Sequence, residues 1–292
     1  IAQIEVLIIN DGSTDRTVDA AKQNGVRHIL NFKSRQGLAR VFSAGIDGAL
    51  RLGADIIVNT DADNQYKGND IKRLVAPIIE KRADIVIGNR KIDGVKDFSF
   101  LKKRLQKIGS WVVKKLSGLD IPDATTGFRA YSKYAALNLN VVSEFTYTLE
   151  TIIASGKNLL AIENIEVETN PTRRPSRLYR SVWEYIKRSV ATLIRAYSMY
   201  QPFKAFMRLG VLLFSLGFLL GLRFLFYLII NRGSAGHIQS LILAAILMIL
   251  GFQTMLLGML SDLIAANRRL LEKTLNKVKI MELGLNKNIS DD

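Results

Sequence analysis

The sequence predicts an α/β domain with a mostly parallel sheet, followed by amphipathic helices and a two-helix membrane hairpin. Three observations lead there. Short Ile- and Val-rich runs alternate with amphipathic segments through the first 170 residues, two long apolar runs follow close together, and basic residues cluster on the outer sides of those runs.

The elements follow in order. Residues 4–9 are rich in Ile and Val, as a strand buried on both faces requires. Residues 10–15 form a turn, where Thr14 or Asp15 can cap a helix running to about residue 24. A short strand is expected at 26–30, a helix at 37–52, a third strand at 55–59 ending at Asp61, a helix at 70–81 and a fourth strand at 84–87. This rhythm builds a parallel sheet with helices on both faces, and such sheets bind ligands at the carboxyl ends of their strands. Residues 101–116 form a basic amphipathic helix with Leu101, Leu105, Ile108, Val112 and Leu116 on one face. A loop at 122–127, a helix near 146–155 and a strand at 161–168 complete the domain.

The apolar runs at 209–230 and 238–266 are each long enough, at about 20 residues, to cross a hydrocarbon core of roughly 30 Å. The net charge of +15 is concentrated around them. Nine Arg and Lys residues between 173 and 208 oppose one acid, Glu184, and Arg268, Arg269, Lys273, Lys277 and Lys279 follow the second run. The connection at 231–237 holds only Arg232. By the positive-inside rule both ends of the hairpin face the cytoplasm, with 180–200 as an amphipathic helix on the membrane surface. The expected division is therefore 1–170 for the α/β domain, 171–205 for a basic loop and juxtamembrane helix, 206–266 for the spans and 267–292 for a basic cytoplasmic tail. The charge belongs to the membrane flanks, and no nucleic-acid motif accompanies it. The absence of cysteine excludes a disulfide framework and a thiolate metal site.

Three short patterns carry chemistry. At the end of the third strand, Asp61 and Asp63 with Gln65 present oxygens to one hard cation, Mg²⁺ or Mn²⁺, completed by water and substrate phosphate. After the first strand, Asn10–Asp15 offers the Asp11 carboxylate to a base or ribose, and fits an ordinary strand–turn–helix connection equally well. In the stretch from Thr125 to Lys133, Gly127 beside Arg129 suggests close backbone approach and an anion-pairing guanidinium, or a surface turn.

Taken in order, N-D-G-S-T-D, D-A-D-x-Q, G-N-R and T-G-F-R-A resemble the inverting glycosyltransferases of GT-A fold, whose sheet is Rossmann-like. Among these the chain is most similar to the dolichyl-phosphate mannose synthase and polyprenyl-phosphate glucosyltransferase branch, over about residues 1–180. The resemblance implies a catalytic set of Asp61, Asp63 and Arg129, with Asp61, Asp63 and Gln65 at the metal. It implies Asp11 and Arg90 for the donor, and Arg104, Arg129, Ser176 and Arg177 for the acceptor phosphate. The partners implied are a nucleotide sugar, GDP-mannose or UDP-hexose, a polyprenyl phosphate and the bilayer. The family's opening strand, ending in a Pro-x-x-Asn-Glu-like segment, has no match, so a preceding segment is expected.

The two histidines, His28 and His237, lie in an expected strand and in the outer loop, so neither is placed as a catalytic base. A phosphate acceptor needs none. A hydroxyl acceptor would draw on a carboxylate such as Glu144 or Glu150. The alternatives to polyprenyl-phosphate transfer are thus a membrane glycosyltransferase with a sugar-hydroxyl acceptor and a non-catalytic nucleotide-sugar sensor. Two short spans give one protomer little to pack against, which points to a homo-oligomer.

Overall fold

The computed structural model describes residues 3–90, 111, 113–114, 117–141, 147–170, 191, 202–230 and 238–284. The expected amphipathic helices at 101–116 and 180–200 lie mostly outside these residues. The chain divides into two units, Ile1–Ser189 with Thr274–Asp292, and Val190–Lys273.

In the first unit, β1 (Leu7–Asp11), α1 (Thr17–Gln23), β2 (His28–Phe32), α2 (Leu38–Arg51), β3 (Ile56–Asn59), α3 (Asp70–Ile79) and β4 (Ile85–Asn89) follow the alternation read from the sequence. After them come β5 (Arg129–Ser132), α4 (Lys133–Asn138), α5 (Thr148–Lys157) and β6 (Ile162–Glu166). β1 and β2 pair in parallel as one sheet. The other sheet runs β3–β5–β4–β6, with β4 and β6 parallel and β5 antiparallel to both neighbours. The antiparallel β5 departs from the expected loop and turn. Its residues pair with β3 on one side, Ile57 opposite Tyr131, and with β4 on the other, Val86 opposite Ala130. It therefore carries the carboxyl end of β3 and the motif around Gly127 into one neighbourhood.

The core explains why these residues fold so. Ile85, Val86 and Ile87 are all buried because β4 is covered on both faces. The amphipathic α3 sets Leu74, Val75 and Ile78 against Val86, Phe128, Ala130 and Val167. On α2, Phe42 stacks on Tyr147 with ring centroids 3.9 Å apart and meets Tyr131 edge-on at 5.9 Å.

The segment from Thr274 to Glu282 belongs to this unit, as the last turns of α7 (Ile238–Glu282). Asn276 donates to Asn138 Oδ1 at 3.0 Å and accepts from Asn140 Nδ2 at 2.8 Å. Lys279 and Glu282 pair with Asp47 and Arg51 of α2 at 3.2 and 3.3 Å. Exposed ion pairs of this kind contribute about 0–1 kcal/mol each, so the asparagine ladder gives the contact its register.

The second unit contains α6 (Pro202–Ile230) and the Ile238–Lys273 part of α7. Both helices are long and apolar enough to cross a membrane, with mean hydropathy of 2.2 and 2.3 over their most apolar stretches. Between them the backbones approach closely. A Cβ built on Gly210 would lie 2.8 Å from Gly251 O, and one on Gly251 would lie 2.6 Å from Phe214 N. Lipid gives apolar side chains no reason to leave it, so small residues that let helices touch supply the association. Arg223 of α6 lies over the Tyr227 ring, 5.7 Å from its centroid, which offsets part of the cost of a charge on an apolar helix. Replacing Gly251 with Leu is expected to push the helices apart at a cost of about 1–3 kcal/mol. A lowered melting temperature of the detergent-solubilised protein checks this, and an unchanged one refutes the close packing.

Candidate active site

The site is built where β3 ends. Asn59, the last residue of the strand, donates from Nδ2 to Gly127 O at 2.7 Å and to the Tyr147 hydroxyl at 2.8 Å. One amide thus joins the end of β3, the loop before β5 and the start of α5. Two residues on, Asp61 leaves the sheet beside Gly127. A Cβ on Gly127 would fall 2.8 Å from the Tyr147 hydroxyl and 2.9 Å from Asp61 Oδ2, so glycine is what lets the carboxylate lie against this loop.

Asp61 is open to solvent on one side and packed by protein on the other. Burial raises its pKa above the ordinary carboxylate value, and Asp63 raises it further, while Arg90 and Arg129 oppose both effects. Asp63 Oδ1 accepts from Gln65 N at 3.0 Å, across Asn64 with its φ of 59°. Among the described residues no cluster of three or more His, Cys, Asp or Glu side chains surrounds this pair. Among these residues the pair therefore offers two carboxylates and no closed cage. That donor set fits Mg²⁺ or Mn²⁺, which keep positions for water and substrate phosphate.

At the end of β4, Arg90 meets Asp123 in a forked ion pair, Nε to Oδ2 at 2.7 Å and Nη2 to Oδ1 at 3.0 Å. Its Nη2 also donates to Thr125 Oγ1 at 2.9 Å. The Arg90 side chain is 10% exposed and that of Asp123 fully buried. Burial alone would raise the Asp123 pKa, but Arg90 and Thr125 outweigh it and hold the carboxyl below the ordinary range. Among the described residues Arg90 Nη1 has no partner, so that corner of the guanidinium remains available to an anion.

Arg129 is turned inward, with 1% of its surface exposed. Nε donates to Thr126 O at 2.9 Å, Nη2 to Ala124 O at 2.9 Å, and Nη1 to Thr148 O at 3.0 Å and Thr151 Oγ1 at 2.8 Å. The sequence expectation set this guanidinium against substrate and acceptor phosphate. In the structure its hydrogen bonds go to the protein's own chain, across the loop before β5 and the first turn of α5. Asp11 is similarly engaged, its Oδ1 accepting from Gln36 N at 2.5 Å and its Oδ2 from Gly37 N at 3.2 Å, at the amino end of α2.

The structure therefore brings Asp61, Asp63, Gln65, Arg90 and Arg129 to one end of the four-stranded sheet, and sets Asp11 at the end of β1 in the other sheet. Arg104, Ser176, Arg177 and Glu144 lie outside the described residues. Glu150 is 5% exposed, in the first turn of α5. The sequence reading passed over Asn59, Asp123 and Tyr147. Asp123 had a local signal in its place two residues before Thr125, whereas the contact between Asn59 and Tyr147 joins residues 88 positions apart.

The description of glycosyl transferase family 2 matches residues 1–139. The UDP-N-acetylglucosamine–dolichyl-phosphate N-acetylglucosaminyltransferase of Methanococcus voltae is 31% identical over 189 residues, covering 56% of this chain and 74% of that protein. The chain belongs to glycosyl transferase family 2. This family 2 chain is also 29% identical over 155 residues to the undecaprenyl-phosphate mannosyltransferase of Micrococcus luteus, across 50% of its own length and 63% of that protein, under two thirds of the relative. Glucosyl-3-phosphoglycerate synthase from Mycobacterium tuberculosis, solved with Mn²⁺, UDP and glucosyl-3-phosphoglycerate, shares the GT-A fold. The likeness has a TM-score of 0.51 at 16% identity and covers 66% of this chain and 67% of that one. The chain is a glycosyltransferase, and the expected fold class is met.

Two predictions follow from the packing around Asp61 and Arg90. Gly127→Ala should leave the far-ultraviolet circular dichroism unchanged while lowering transfer activity about 100-fold, the order expected when a reacting group is displaced by about 1 Å. Asp123→Asn should destabilise the first unit by about 3–5 kcal/mol at neutral pH, because it strands the buried Arg90 charge. Since the folded carboxyl lies below its unfolded value, its stabilisation is complete above about pH 4 and is lost as the pH falls further. The gap in melting temperature between parent and variant should therefore narrow below about pH 4, and a constant gap would contradict the assignment.

Proposed function

We infer that this glycosyltransferase carries out metal-dependent, inverting transfer of a hexose from a nucleotide sugar to a polyprenyl phosphate of dolichyl type, at the cytoplasmic face of a membrane. One observation carries the reading. The acidic pair Asp61 and Asp63 and the cationic corner of Arg90 share one sheet end, in a chain that also has two helices able to cross a membrane. The two curated relatives above are named for sugar transfer to dolichyl and undecaprenyl phosphates, which supports the same acceptor class here.

In this reading Asp61 and Asp63, with Gln65 beside them, hold the cation. Bound there, Mg²⁺ or Mn²⁺ supplies charge neutralisation for the diphosphate of the leaving group. Arg90 Nη1 takes a donor phosphate oxygen, with Asp123 holding the guanidinium in plane. Asp11 keeps the loop at the amino end of α2 in place beside the nucleoside. Arg129 acts on the reaction through the loop from Ala124 to Gly127. Arg104, Ser176 and Arg177 receive the acceptor phosphate.

The acceptor needs no histidine. His28 lies on β2 with Nε2 3.0 Å from Glu5 Oε2, remote in sequence from β3 and β5. A lipid phosphate, with a second pKa of about 6, is already largely dianionic at neutral pH. An oxygen of that phosphate attacks the anomeric carbon as the bond to the nucleoside diphosphate breaks, inverting the centre. Positioning and charge screening are what the protein must provide.

The test uses membranes containing the full chain, Mg²⁺ or Mn²⁺, a panel of radiolabelled GDP- and UDP-sugars, and a short polyprenyl phosphate. Metal-dependent, acid-labile label in the organic phase is expected from one donor. Asp61→Ala with Asp63→Ala should reduce it at least about 100-fold. Label passing instead to a glycan hydroxyl, or donor binding without transfer to any acceptor, would overturn the proposal.

A further inference from the structure

We propose that Tyr147 is a positioning residue for Asp61, its phenolic O–H donating to Asp61 Oδ2 and holding that carboxylate toward the cation. The argument begins with hydrogens that can be counted. Asn59 Nδ2 carries two, and it spends them on Gly127 O at 2.7 Å and on the Tyr147 oxygen at 2.8 Å. The phenolic oxygen is therefore an acceptor toward Asn59, and its own proton must point elsewhere. Among the described residues that proton has no acceptor, although Tyr147 is 1% exposed. Buried donors are normally satisfied, so this one calls for a partner.

Asp61 is the group within reach. Its Oδ2 and the Tyr147 oxygen flank the same empty point, the missing Cβ of Gly127, at 2.9 and 2.8 Å. The phenol cannot drift toward another partner. Its ring is clamped flat on Phe42, with an angle of 3° between the planes, and the backbone oxygen of Tyr147 is fixed by Thr151 N at 2.9 Å and Thr151 Oγ1 at 2.8 Å. Asp61, exposed at a strand end, is the member free to turn. Asn59, Tyr147 and Gly127 together thus form a donor, relay and gap directed at one carboxylate oxygen.

The inference rests on Asp61 being a metal ligand, and the experiment separates the two claims. Mn²⁺ binding to the full chain in detergent, without nucleotide, is measured from the free-ion electron paramagnetic resonance signal for parent, Asp61→Asn, Tyr147→Phe and the double variant. Tyr147→Phe keeps the ring on Phe42 and removes only the hydroxyl. Its Mn²⁺ affinity should fall about 10–100-fold, the usual effect of losing an outer partner of a metal ligand, with the far-ultraviolet circular dichroism unchanged. In the Asp61→Asn background the same change should have no further effect. If Asp61→Asn weakens binding and Tyr147→Phe does not, the role of Tyr147 falls and the metal assignment stands. Parent-like Mn²⁺ binding by Asp61→Asn would sink both. If Tyr147→Phe fails to fold, Asn59→Ala replaces it. That change frees the phenol from its enforced acceptor role, so weaker Mn²⁺ binding is expected, and parent-like affinity would overturn the proposal.

Discussion

A charged guanidinium enclosed by backbone carbonyls is the constraint on which the site depends. Arg129 draws Ala124 O, Thr126 O, Thr148 O and Thr151 Oγ1 toward one plane. A buried cation is costly without such partners, so the chain segments that supply them must converge. Their convergence brings Gly127 to Asn59 and Tyr147 to Asp61. The same side chain stands at the start of β5, where antiparallel pairing to β3 sets the level at which the loop meets the strand end. Arg129 is therefore responsible for where the acidic pair meets its surroundings, and it does so through hydrogen bonds to the protein's own chain.

The second organising pair is ionic and has a different logic. Asp123 and Arg90 satisfy each other with fork geometry in a place almost closed to water. Such a pair adds little net stability over apolar packing, since desolvation offsets most of the attraction. Its value lies in aim. A guanidinium fixed on two corners presents the third in one direction, and a long cationic side chain would otherwise sample many.

Much of this was legible in the sequence, and the limits have physical causes. The alternation of Ile- and Val-rich runs with amphipathic segments located β1 to β4 and α1 to α3 to within a few residues, although of those strands only β4 is buried on both faces, and Ile4 and Val6 of the expected first strand are exposed. The acidic pair was readable from its position after such a run. β5 was not. It is four residues long, begins with a charged side chain and reads Arg-Ala-Tyr-Ser, which no periodicity marks as a buried strand. The partners of Arg129 were hidden too, since three of the four are backbone oxygens, which leave no trace in a sequence. The amide of Asn59 meets Tyr147 across 88 positions, and only the fold reveals that encounter. The last turns of α7 read as a basic tail, yet Asn276 sits between Asn138 and Asn140, an interaction that neutral amides do not advertise.

Among the described residues Arg129 makes no ion pair, and its positive charge is solvated there by dipoles. Such a charge under the surface acts as a standing electric field. It already lowers the pKa of Asp61 against the effect of burial. Because its source is enclosed, mobile ions screen it far less than they screen surface charge, and no side chain has to move to switch it on. The part of the field at Asp61 that comes from Arg129 is thus built in as the chain folds, and should persist at salt concentrations that erase the pull of the many surface arginines and lysines.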